Sequence, residues 1–257
     1  MGRIISVSNQ KGGVGKTTTC VNLTAALRER GFRVLLCDFD PPGTATSGLG
    51  VAKNRTPTVY ELICGNASFE ETVVETPYGD VLPASRTLSG AEIELAYENE
   101  REFFLRKALE PVRDRYDLIL IDCPPSLGLL PLNAFCAADG ILVPVQCEYY
   151  ALEGLSDLIY TLRAVKKKLN PALEIDGLLL TMYDVRTNLS AQVAAEVKKY
   201  FPGKVLGAVI PRNVRLSEAP SFGKPVFYYD KLSRGAESYF SLADELAERV
   251  WKLHGKA

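Results

Sequence analysis

The string NQKGGVGKTTT, Asn9 to Thr19, stands between the β-branched run RIISVS and a segment, Thr17 to Arg30, with apolar Val21, Leu23, Ala25, Ala26 and Leu27. Strand, glycine loop and helix in that order restrict the fold more than any other stretch of the chain. Where Gly12, Gly13 and Gly15 lack side chains, the backbone N–H groups around Val14 can approach phosphate oxygens, and the start of the following helix adds a favourable dipole. Lys16 then reaches the β- and γ-phosphates, Thr17 offers a hydroxyl to Mg²⁺, and Thr18 is placed to contact a phosphate nearer the ribose. One departure stands out: Gln10 occupies the place of the usual first glycine, and a second lysine, Lys11, opens the loop.

Further apolar runs, RVLLCDF, DLILID, GILVPVQ, IDGLLLTM and VLGAVI, recur with helical patterns between several of them. That alternation predicts an α/β fold: a P-loop NTPase domain with a mostly parallel twisted sheet and helices on both faces. Gly31 reads as the C-cap of the first helix. Leu155, Leu158, Leu162, Val165 and Leu169 recur at helical steps before Asn170-Pro171 stops the pattern, and Leu242, Leu246, Val250 and Trp251 mark a last helix between Gly235 and His254. With 257 residues, 47% of them hydrophobic, and no low-complexity linker or internal repeat, one domain spanning 1–257 is the simplest organisation.

A formal net charge of −1 gives no global basicity. The six cysteines show no CxxC spacing, and His254 is the single histidine, which argues against a zinc site. Cysteines inside apolar runs read as reduced core residues, fitting a cytoplasmic chain. The N-terminus lacks the apolar core of a signal peptide, and no run reaches the roughly 18 apolar residues of a spanning helix.

Three aspartates end apolar strands. Asp38 and Asp40 follow RVLLC, where carboxylates face the ligand crevice of an open α/β sheet. Asp122 ends LILID, placed to deliver a carboxylate to the Mg²⁺ coordination sphere.

Taken with SNQKGGVGKTT, the stretches ATSGLG, IDCPPSLGLL, PVQCEYYALEGL, TMYDVRTNL and IPRNVRLSEAPSFGKP resemble the ParA/MinD family of deviant Walker-A ATPases, most closely its chromosomal ParA (Soj) branch. The resemblance implies an ATP- and Mg²⁺-dependent ATPase that dimerises with ATP, binds DNA nonspecifically, is stimulated by a ParB-type centromere-binding protein, and is nucleoid-associated with no stable membrane association. It implies that Lys11 crosses to the nucleotide of a second subunit, that Asp40 orients the attacking water, that Asp38 supports the lysine and magnesium shell, and that Pro211, Arg212 and Asn213 line the adenine pocket. Among the basic candidates Arg186, Arg212, Arg215, Lys198, Lys199 and Lys224, it singles out Arg186 and Arg215 as DNA contacts. Lys166 to Lys168 reads as a solvated helix face.

Two alternatives stay open: a MinD-type membrane-positioning ATPase, and an ATP-gated DNA-binding regulator impaired in hydrolysis. The second is raised by DPPGT, Asp40 to Thr44, where the family has DPQGN, so slow turnover is an expectation from Pro42 and Thr44. Pro131, where relatives carry threonine, is acceptable in a helix's first turn.

Overall fold

The computed structural model describes residues 2–149 and 151–252. Its seven-stranded sheet comprises β1 (Arg3–Val7), β2 (Val34–Asp38), β3 (Asp80–Leu82), β4 (Leu118–Asp122), β5 (Gly140–Gln146), β6 (Glu174–Tyr183) and β7 (Val205–Pro211). They run parallel in the order β3-β2-β4-β1-β5-β6-β7. The six expected strands are present; β3, three residues long, was not anticipated.

Helices α1 (Lys16–Glu29), α2 (Thr44–Gly48), α3 (Val59–Ile63), α4 (Phe69–Thr72), α5 (Leu88–Glu94), α6 (Phe104–Leu109), α7 (Leu129–Ala137), α8 (Ala151–Lys168), α9 (Asn188–Tyr200), α10 (Val214–Glu218), α11 (Val226–Tyr229) and α12 (Arg234–Lys252) cover it. Both faces are packed, so neighbouring residues of one strand enter opposite cores. Ile4, Ile119 and Ile121 join α3–α9, whereas Ile5, Leu118 and Leu120 join α1, α2 and α10–α12. This explains why the strands read as continuous apolar runs rather than alternating ones. Gly31 has φ 85°, the left-handed residue after α1, and Pro131 falls in the first turn of α7.

Strand order places the chemistry. From β1 the chain reaches β2 on one side, while β5, β6 and β7 extend on the other, so the carboxyl end of β1 opens where the order reverses. The glycine loop occupies that point.

α12 closes the opposite edge. Leu242 and Leu246 are buried, and the Glu245 carboxylate accepts the backbone N–H groups of Gly207 and Ala208 in edge strand β7, both at 2.9 Å. His254 and the side chains of Val250, Trp251 and Lys252 lie outside the described residues.

Candidate functional site

The loop between β1 and α1 is held from three sides. Gly13 and Gly15 adopt φ of 74° and 92°, which a side chain would strain. The Thr181 hydroxyl from β6 donates to the Val14 carbonyl at 2.8 Å. Asn9, which the sequence did not flag, donates to the Pro144 carbonyl at 2.7 Å and accepts the Lys11 N–H at 3.0 Å, fixing the entrance. Gln10 buries its Oε1 without a hydrogen-bond partner among the described residues.

The two lysines diverge. Lys16 is buried and donates to the Lys11 carbonyl at 3.0 Å. Burial lowers its pKa, opposed chiefly by the Asp122 carboxylate. An ammonium out of water with a neutral acceptor is under-compensated, and anionic oxygens over the loop would compensate it. Lys11 instead lies half-exposed, 3.5 Å from Oε2 of Glu148, whose Oε1 is 3.5 Å from Arg212. In the single chain Glu148 thus holds both cations.

Asp38 and Asp122 are register partners on adjacent strands, both fully buried. Burial raises the pKa of each, and their mutual repulsion adds to the rise at Asp122. Their hydrogen bonding differs. Asp38 Oδ2 accepts both the backbone N–H and the hydroxyl of Thr46 at 2.7 Å, and its Oδ1 accepts the Asp40 N–H at 3.3 Å. Thr46 in turn accepts the Ala84 N–H at 2.9 Å, tying α2 to the end of β3. Thr46 lies within the quoted ATSGLG, but only the structure gives it this role.

Asp122 is less satisfied: Oδ1 takes a weak bond from the Cys20 thiol at 3.6 Å, and Oδ2 is buried with no partner among the described residues. The Thr17 hydroxyl beside this carboxylate counters the rise in its pKa. An orphaned carboxylate oxygen beside a threonine hydroxyl fits a hard divalent cation. Among the described residues no group of three or more His, Cys, Asp or Glu could hold a metal, so such a cation would complete its shell with phosphate and water. Asp40 is half-buried; burial raises its pKa and the Lys16 ammonium opposes the rise.

A cavity of about 340 Å³ opens against Gly15 and Thr18 and is closed by Thr181, Pro211, Arg212 and Asn213. Its size suits a nucleobase and ribose. Met182, on the wall, has φ 51°, an uncommon conformation for this residue type. Tyr239 of α12 also lines it, a contribution from near the far end of the chain that local sequence could not signal.

Of the basic candidates, Arg212 belongs to this cavity and to Glu148. Arg186 lies in the turn that follows β6 and Arg215 in the first turn of α10 after β7, each in ion pairs described below. Lys166 pairs with Glu174, and the Lys166–Lys168 run is exposed. Pro42 and Thr44 are exposed too, so their side chains point away from the buried carboxylates.

Comparison with known proteins matches residues 2–175 to the AAA domain family AAA_31. The chain is 58% identical over 250 residues to the sporulation initiation inhibitor protein Soj of Bacillus subtilis, covering 96% of this chain and 99% of that one. It is 54% identical to the chromosome partitioning protein ParA of Myxococcus xanthus, over 97% of this chain and 89% of the relative. A Mycobacterium smegmatis structure, described as cobyrinic acid a,c-diamide synthase with bound ADP and magnesium, superposes with a TM-score of 0.86 at 38% identity, covering 98% of this chain and 96% of that one. A buried P-loop lysine, a strand-end carboxylate pair and sequence identity along nearly the whole chain lead to one conclusion: this chain belongs to the AAA_31 P-loop family and, within it, to the Soj/ParA chromosome-partitioning ATPases.

Proposed function

We propose that all 257 residues work as one domain that binds ATP with Mg²⁺, hydrolyses it slowly, and uses the ATP-bound dimer to hold DNA nonspecifically during chromosome or plasmid partitioning. The observation that carries this reading is the buried Lys16 ammonium beside the orphaned Asp122 oxygen, with the base-sized cavity opening at Gly15 and Thr18. In this reading the loop N–H groups and Lys16 bind the β- and γ-phosphates, while Thr18 and the Pro211–Asn213 wall position the rest of the nucleotide. Thr17 and Asp122, with Asp38 behind them, would hold Mg²⁺, which would supply charge neutralisation on the transferring phosphoryl group. Asp40 orients and polarises the attacking water.

Lys11 completes the reading. In the single chain Glu148 holds it; when two ATP-bound chains meet, it leaves Glu148 for the partner's nucleotide and neutralises charge there, as an arginine finger does. A ParB-type protein stimulates turnover. The protein works in the cytoplasm on the nucleoid without stable membrane association, a view supported by the burial of Leu242 and Leu246 against the sheet and by the absence of a membrane-length apolar helix among the described residues.

Sizing chromatography with Mg-ATP in an Asp40→Ala background, with and without Lys11→Ala, tests the dimer switch. Lys11→Ala is expected to preserve nucleotide binding by the monomer and to remove most of the dimer. An undiminished dimer overturns the trans role.

A further inference from the structure

The turn after β6 and the capped first turn of α10 after β7 repeat one local pattern. In Asp184-Val185-Arg186 and Asn213-Val214-Arg215, Oδ1 of the first residue accepts the backbone N–H of the third, at 3.0 and 2.8 Å. The middle valines are left exposed, 79% and 67%. The turns are neighbours: Tyr183 pairs with Pro211, and the Arg212 N–H donates to the Tyr183 carbonyl at 3.1 Å.

They differ in how the arginine is held. Arg186 is 82% exposed yet folded onto its own turn, donating to both oxygens of Asp184 at 2.9 and 2.7 Å. Asn213 is neutral and cannot capture Arg215, which is held instead by Glu218 at 2.8 Å and Asp230 at 3.1 Å. Two guanidinium groups thus face three carboxylates, so this set of five charges offers no net positive charge to a polyanion. Exposed ion pairs are weak and exchangeable, so phosphate can displace these carboxylates but must compete with them.

We propose that Asp184, Glu218 and Asp230 are built-in competitors for phosphate that set how tightly, and with what salt dependence, this paired-turn surface binds duplex DNA. This rests on the reading that Arg186 and Arg215 face DNA. The competition is local: an arginine engaged by its own carboxylate releases fewer counterions from the duplex than a free one, so masking flattens the salt dependence as well as lowering affinity. The same masks keep the surface from holding nucleic acid until a dimer presents two copies of it at once.

The test is fluorescence anisotropy of a labelled random duplex with the full chain, Mg²⁺ and a non-hydrolysable ATP analogue, across about 50 to about 200 mM salt. Asp184→Asn keeps the Oδ1 acceptor that its twin turn already uses, and Glu218→Gln keeps an amide oxygen, so both turns persist. The double variant, in which Asp230 still holds Arg215, is expected to bind about tenfold tighter at low salt and to steepen the logarithmic salt slope by up to about one unit, for the freed Arg186. Glu70→Gln with Glu174→Gln, which frees Arg115 and Lys166 at the other end of the sheet, matches the change in net charge and should change neither. If the double variant binds no tighter than this control, the competition is absent. Arg186→Glu with Arg215→Glu separates the two levels. Loss of binding there, with no gain in the carboxamide variant, overturns the proposal and leaves the DNA surface standing; unchanged binding overturns both.

Discussion

The interior carboxylates at the ends of β2 and β4 and the rim carboxylates around Arg186 and Arg215 carry the same charge in opposite situations. Inside, Asp122 keeps an oxygen that nothing among the described residues satisfies, and the Lys16 ammonium bonds to a backbone carbonyl. At the rim, each arginine already has a carboxylate partner in water. Buried charges left incomplete carry a large unpaid desolvation cost, which a ligand of the right charge can relieve, whereas exposed pairs have little to gain and mainly modulate. The interior therefore should decide whether nucleotide binds at all, and the rim how tightly a second macromolecule follows.

The sharpest way to break that contrast is Lys16→Ala. Removing the buried ammonium leaves the phosphates without their charge partner and Asp122 without its nearest counter-charge. Mg-ATP affinity, measured by titration calorimetry, is expected to fall by at least about 10²-fold. Affinity within about threefold of the parent would move the phosphate site away from this loop. Asp40→Ala should separate binding from chemistry: hydrolysis falls about 10²-fold while nucleotide affinity stays nearly unchanged, because the carboxylate acts on water. Parallel loss of both would make Asp40 a structural anchor of the loop.

Which parts of this were legible in the sequence follows from locality. The glycine loop, its lysine and the strand-end aspartates could be named because phosphate binding needs contiguous backbone, and because a strand's end delivers its last residue to the crevice. The six long apolar strands were legible for the same reason. β3 was not, since Asp80–Leu82 is too short to carry a pattern, and the helices between residues 58 and 109 are too brief for periodicity to mark them. Asn9, Thr46, Thr181 and Tyr239 escaped because each has a partner far along the chain, from 38 residues away for Thr46 and Ala84 to 220 for Tyr239 and Thr19. Lys11 was legible as a second cation at the loop, but its hold on Glu148 was not, since that contact forms only once β5 lies beside β1.

A smaller effect sharpens the interior half of the comparison through pH. Burial raises the pKa of Asp38 and Asp122 above their ordinary 3.8, so without a cation the folded chain keeps their protons to a higher pH than the unfolded chain does. The sign follows: their contribution to stability is full below about pH 4 and is lost as pH rises through the raised folded values. A cation needs the ionised forms, so stabilisation by Mg-ATP runs the other way and weakens as pH falls. Thermal melts at about pH 5 and about pH 7.5 should show the gain from Mg-ATP growing with pH, and the cation-free chain losing stability over the same interval. A gain from Mg-ATP that does not vary with pH would remove these two aspartates from the cation's surroundings.

The smallest expected effect tests whether the departures in DPPGT matter. The turn from Asp40 to Gly43 is closed by a 2.9 Å bond from the Gly43 N–H to the Asp40 carbonyl. Gly43 has φ 63°, and a Cβ there would lie 2.6 Å from the Ala84 carbonyl oxygen, so the turn is fixed by backbone against the end of β3. Lys53 donates to the Pro42 carbonyl at 2.9 Å, and the Pro42 and Thr44 side chains face outward. Neither side chain reaches Asp38 or Asp122; what Pro42 contributes is stiffness in the chain that carries Asp40. Replacing both with the family's residues, Pro42→Gln with Thr44→Asn, should lower stability by about 0.4–1 kcal/mol through the unfolded chain's regained freedom. Because Asp40 keeps its anchors, ATP turnover is expected to rise by no more than about threefold. Steady-state hydrolysis with saturating DNA, measured beside a denaturant melt, reads both. A rise of tenfold or more would mean that the outward residues of this turn, and not the buried carboxylates behind it, set the rate.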